Sequence, residues 1–73
     1  MQKLLKRAVK NNTRYYLVEL FKNLFDGFTI NIEYGSVKNQ APTGKKKFLF
    51  DSFEDAELKY MRILDLKSNK GYM

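Results

Sequence analysis

Phe28-Thr29-Ile30-Asn31-Ile32-Glu33-Tyr34 alternates apolar and polar side chains without a break, and Gly35-Ser36 then ends the pattern. A period of two belongs to a strand with one face buried, so Phe28, Ile30, Ile32 and Tyr34 are predicted to point into a core. Upstream, Arg14-Tyr15-Tyr16-Leu17-Val18-Glu19-Leu20-Phe21 is rich in β-branched and aromatic residues, and short, which predicts a second strand. Arg14, Tyr16, Val18 and Leu20 fall on one of its faces. Asn23 and Asp26-Gly27 break the chain between the two strands, and Asp-Gly readily supplies the positive φ of a turn. Downstream, residues 38–44 read as an exposed loop, and a further strand is predicted over 47–51, with Phe48 and Phe50 on one face and Leu49 on the other.

Ser52 opens a helix. Its hydroxyl can accept from the amide of Asp55, and Asp55 can reciprocate, which is the capping-box spacing. Asp51, Glu54, Asp55 and Glu57 crowd the positive end of the helix dipole, while Arg62 and Lys67 fall toward its negative end. The acidic block is therefore accounted for by helix electrostatics. Phe53, Ala56, Tyr60, Ile63 and Leu64 make one stripe that should lie across the sheet. Lys67 shares that stripe and reads as a snorkelling stem whose ammonium caps the last carbonyls. Gly71 is placed to end or follow the helix. At the other terminus, Leu4, Leu5, Ala8 and Val9 have helical spacing in a segment too short to be helical alone, so residues 2–10 read locally as a frayed basic helix or a flexible arm.

At 73 residues the chain is a single small domain, divided here into a basic N-terminal segment over 1–13 and a core over 14–72. With 44% apolar and 15% aromatic residues it has the material for a folded core. There is neither cysteine nor histidine, which argues against disulfides, zinc, haem, iron–sulfur clusters and any imidazole-based triad. The glycines are scattered, so no phosphate-cradling loop is present. Glu19 and Glu33 could pair across a sheet, but nothing in the sequence sets two carboxylates in one cleft, as a carboxylate hydrolase requires. A non-enzymatic domain without metal, cofactor or small-molecule substrate is expected. No apolar run is long enough for a membrane span, and a soluble, cytoplasmic monomer is the simplest expectation.

The net charge is +6, and five of the surplus charges lie in residues 1–14 as Lys3, Lys6, Arg7, Lys10 and Arg14. Lys38 and Lys45-Lys46-Lys47 form a second basic cluster directly after Tyr34. Clustered lysine on a small domain is the footprint of a polyanion binder, and tyrosine faces suit stacking on bases or sugars. Tyr16 and Tyr60 read as core residues, whereas Tyr34, at a strand end ahead of the basic loop, is the candidate platform.

From the Tyr34-Gly35-Ser36-Val37 step outward the chain resembles a WGR domain, a module known from DNA-dependent poly(ADP-ribose) polymerases and from small stand-alone bacterial proteins. Asn11 with Arg14-Tyr15-Tyr16, then Leu24-Phe25-Asp26-Gly27-Phe28, Gly44-Lys45, Glu54-Asp55-Ala56, and Lys70-Gly71-Tyr72 carry the likeness by order and spacing. Two signature positions differ, with Tyr34 for the tryptophan and Ser36 for the arginine, and Lys38 stands where a second glycine is usual. Tyrosine keeps a stacking surface, but serine cannot replace a guanidinium fork. The resemblance implies an α+β fold, a small twisted antiparallel sheet with one C-terminal helix packed across it, and a strand over residues 3–7. It also implies nucleic-acid binding, DNA favoured. The expected site comprises Tyr34, Gly35, Ser36, Lys38, Lys45, Lys46, Lys47 and Arg14; an acidic protein docking on the same loop is the alternative partner.

Overall fold

In the computed structural model, which describes residues 1–39 and 41–73, the alternating stretch is the third of four strands. The elements are β1 (Gln2–Val9), β2 (Asn12–Lys22), β3 (Phe28–Ser36), β4 (Gly44–Phe50) and α1 (Phe53–Asn69). The strands lie side by side in chain order and every pair is antiparallel, so the sheet is an open meander. This is the expected α+β architecture. The part of the expected 38–44 loop at Gln40 lies outside the described residues.

Register explains which side is buried. Leu5, Tyr16, Tyr34 and Gly44 form one cross-strand row, Val18, Ile32 and Lys46 the next, and Leu20, Ile30 and Phe48 a third. Residues two apart along a strand share a face, so these rows line one side of the sheet. Helix α1 covers that side with Ala56, Tyr60 and Ile63, all buried, while Leu64 packs against them half-buried. Phe53 is more open than expected, yet its ring meets that of Phe28 edge-on at 5.4 Å. The other side of the sheet, with Leu17, Glu33 and Lys45 in one row and Glu19, Asn31 and Lys47 in the next, carries no helix.

The Ser52 hydroxyl accepts from the Asp55 amide at 3.2 Å, as the spacing predicted. Among the described residues the reciprocal bond from Asp55 is not formed. At the far end the amides of Lys70 and Tyr72 donate to the Lys67 carbonyl, and Gly71, at φ +98°, turns the chain so that Tyr72 enters the core. That φ is strained for any residue with a Cβ.

Residues 2–9 are a strand, which corrects the local helix-or-arm reading and agrees with the resemblance. Only Leu5 of this strand is buried, because β1 lies at the sheet edge and α1 packs mainly over β2, β3 and β4. Local periodicity is therefore weak, and pairing decides the conformation instead. Lys10, at φ 56°, turns the chain into β2. The Met1 ammonium donates to the Leu20 carbonyl, and Met73 exchanges two backbone bonds with Lys6 on the outer edge of β1. Leu5 of β1 belongs to the buried core. Among the described residues no helix is long and apolar enough to cross a membrane.

Candidate functional site

The row that holds Tyr16 and Tyr34 lies at the end of the helix-covered face where α1 finishes. Their rings stack 5.9 Å apart at an interplanar angle of 19°. Tyr72, brought in by the turn at Gly71, meets Tyr16 edge-on, also at 5.9 Å. Lys67, in the last turn of α1, holds its Nζ 4.3 Å from the Tyr16 ring centre and 5.8 Å from that of Tyr72. Arg14 precedes Tyr16 by two positions and Lys46 follows Gly44 by two, so strand period brings both to the same face. Together these six residues line a cleft of about 320 Å³.

The lining holds three cations and no carboxylate. Burial pushes the Lys67 ammonium below its ordinary pKa, and the positive charges of Lys70 and Lys46 push it the same way. Burial pushes the Tyr16 phenol up, helped by the neighbouring Tyr34 and Tyr72. The close like charges repel one another, and an anion entering the cleft would relieve that repulsion.

Gly44 makes room for this arrangement. The Tyr34 ring lies directly over its backbone, and a Cβ built on Gly44 would stand 2.5 Å from the Tyr34 Cζ. Gly44→Ala is therefore expected to drive the ring off its stack on Tyr16, with an overpacking cost of about 1–3 kcal/mol. A urea melt and the ring-current shifts of Tyr16 and Tyr34 check this; an unchanged pair of spectra would refute it.

The other predicted site residues are placed differently. Gly35 is buried, with the Thr43 amide 2.9 Å from where a Cβ would be. Ser36 is only 6% exposed. Its hydroxyl donates to Asn12 Oδ1 at 2.7 Å and accepts from the Lys38 amide at 3.3 Å. With the bond from the Val37 amide to the Thr13 carbonyl, it ties the turn after β3 to the β1–β2 hairpin. Ser36 thus holds the loop rather than projecting from it. Lys38 is exposed on that turn.

Lys45, Lys46 and Lys47 do not present their side chains to one face, because alternate residues of a strand face opposite ways. Lys46 joins the cleft. Lys45 and Lys47 lie on the helix-free face in a trough with Glu19 and Glu33. There the Lys45 ammonium is 3.8 Å from a Glu33 oxygen, and the Tyr15 hydroxyl donates to the other oxygen at 3.3 Å.

Tyr16, Lys67 and Tyr72 were not in the predicted site. Tyr16 reads as core, and it is, but one flank of its ring also lines the cleft. Lys67 was expected to cap carbonyls; instead the backbone amides of Lys70 and Tyr72 take the Lys67 carbonyl, leaving its ammonium for the aromatic rings. A lysine on the buried stripe of a helix, opposite a strand carrying Arg14 and Tyr16, was the available signal.

The family model described as WGR domain matches residues 1–73, the whole chain. No curated protein and no solved structure matches it.

Proposed function

The chain belongs to the WGR family, whose domains are generally nucleic-acid-binding and not catalytic, and from that premise we propose that it binds DNA along the phosphate backbone through the cleft at the end of α1. One observation carries the reading: Arg14, Lys46 and Lys67 converge on Tyr16, Tyr34 and Tyr72 with no acid among them. The three cations contact phosphate oxygens, and the half-buried Tyr34 ring offers an edge or face to a sugar or base. Exposed Lys38 adds to the field on the adjoining turn. Lys45 and Lys47, on the other face, contribute to long-range attraction rather than to contact. Tyr34 offers the stacking surface at the position of the signature tryptophan, and cationic contact comes from Arg14, Lys46 and Lys67 in place of the arginine that Ser36 replaces.

Fluorescence anisotropy against duplex, nicked and single-stranded DNA, at two salt concentrations, tests the proposal. With three to five phosphates engaged, log K against log salt is expected to fall with a slope of about −0.9 per phosphate on duplex. Lys46→Ala should lower that slope by about one unit, whereas Lys45→Ala, which removes a lysine already paired with Glu33, should leave it nearly unchanged. Tyr34→Ala is expected to weaken binding by about 1–3 kcal/mol, the range for one lost stacking surface, and Tyr34→Trp to bind at least as well as wild type. Binding indifferent to salt, or equal effects from Lys45 and Lys46, would contradict this assignment; binding to an acidic peptide but to no nucleic acid would favour the protein partner.

A further inference from the structure

The far end of the sheet presents a second surface with different chemistry. Between β2 and β3 the Asn23 side chain accepts from the amides of Phe25 and Gly27 and donates to Thr29 Oγ1, while the Asn23 amide donates to the Gly27 carbonyl. Asp26 takes the left-handed conformation at φ 62°. These bonds fix a turn that carries Leu24 and Phe25 at 96% and 90% exposure. Beside it, Phe21 and Leu49 are also exposed. Together they border a cleft of about 580 Å³, mainly apolar, whose rim carries Lys22, Lys47 and Asp51. Phe21, on this cleft, stands seven positions along β2 from Arg14, roughly 23 Å at 3.3 Å per residue.

Contiguous exposed apolar side chains rimmed by polar ones mark an association surface. Three features select its occupant. The surface contains both a knob, Leu24-Phe25, and a hollow beside Phe21 and Leu49. Its rim carries both charge signs, so Lys47 of one molecule can answer Asp51 of another. The hydrogen-bonded turn also presents the knob preformed, which lowers the ordering cost of association. Self-complementarity in shape and in charge is what a two-fold, isologous contact requires. We infer that this end of the sheet is a homodimer interface in which the Leu24-Phe25 turn of each molecule seats in the hollow of the other. The inference does not depend on the proposed DNA contact, which centres on Arg14 and the Tyr16–Tyr34 row toward the other end of β2, and it departs from the monomer expected from the sequence. A dimer of this kind carries two basic clefts, so a long duplex would be held bivalently and more tightly than a short one.

Sedimentation equilibrium from millimolar to low micromolar chain concentration decides the matter. Wild type is expected to shift reversibly between dimer and monomer. Phe25→Ser, at a side chain outside the core, should keep the wild-type melting curve at a concentration where both chains are monomeric, while raising the dimer dissociation constant by about tenfold or more, as for an aromatic anchor. Lys47→Asp should weaken the dimer, and adding Asp51→Lys to it should recover part of the loss. Affinity of the Phe25→Ser chain for a duplex long enough for one molecule should stay within about twofold of wild type, since Phe25 lies outside the basic cleft and touches none of its lining. A wild-type monomer at every concentration overturns the inference, and so does a dimer that Phe25→Ser leaves intact. A monomer that pelleted with phosphatidylserine vesicles would overturn it in favour of a membrane surface.

Discussion

Ala56→Asp is expected to abolish the cooperative unfolding transition. Ala56 is fully buried on the sheet-facing side of α1, among the apolar side chains of the core. An aspartate there sits near the start of the helix, where the dipole favours a negative charge by about 0.3–1 kcal/mol. Helix preference therefore does not oppose the change. Desolvation does: an ionised carboxylate without a partner in the interior costs several kcal/mol, and the added atoms must also be accommodated in a packed site. A domain of this length has roughly 4–11 kcal/mol of stability in all. The loss is thus comparable to the whole. Leu58→Asp supplies the control, because Leu58 is 68% exposed two positions along the same helix, and a surface change of this kind stays within about 0.5 kcal/mol. Thermal denaturation followed by circular dichroism separates the two. If Ala56→Asp melts cooperatively within a few degrees of wild type, Ala56 does not face the sheet and the packing described above is wrong.

That packing could be read in advance wherever one face of an element is buried and the other is not. Ile30 and Ile32 on β3, Phe48 and Phe50 on β4, and Ala56, Tyr60 and Ile63 on α1 all follow their element's period into the core. Gln2–Val9 gave no such pattern because β1 is an edge strand that buries Leu5 alone; its conformation is set by pairing with β2 and by Met73, contacts distant in sequence. The same distinction divides the site. Arg14, Tyr34 and Lys46 were legible as two cations and an aromatic face near strand ends. Lys45 and Lys47 were grouped with Lys46 by adjacency, although strand geometry sends them to the opposite face, against Glu33 and Glu19. Tyr16, Tyr72 and Lys67 each serve the core and the cleft at once, and a pattern that assigns a residue to one or the other must lose half of its role.

Lys67 is where that double role can be pulled apart, and Lys67→Glu is expected to lower duplex affinity by about a hundredfold while leaving the fold standing. On the stability side the terms oppose one another. The change removes a cation over Tyr16, about 0.5–2 kcal/mol, and sets a negative charge in the last helical turn, about 0.3–1 kcal/mol. In return it ends the repulsion from Lys46 and Lys70 that lowers the Lys67 pKa, and it gives Arg14 and Lys46 an opposite charge. The net is within about 1 kcal/mol. For binding nothing cancels. A charge-assisted contact worth about 1.5–3 kcal/mol is lost, and the new carboxylate repels the phosphate that Arg14 and Lys46 would hold. Lys67→Arg should keep most of the affinity, and Lys67→Met should fall between. The pH dependence gives a second readout. Because folding lowers the Lys67 pKa, the folded chain binds fewer protons there than the unfolded one, so stability rises as pH climbs from the lowered value to the ordinary lysine value. Tyr16 and Tyr60, whose phenols burial pushes up, act in the other direction: their contribution is lost as pH climbs past the ordinary tyrosine value. The lysine effect is therefore read as the difference between wild-type and Lys67→Met melting curves across the alkaline range, with the rise absent in the variant. Should Lys67→Glu stay folded and bind duplex within about twofold of wild type, the cleft at the end of α1 is not the nucleic-acid site.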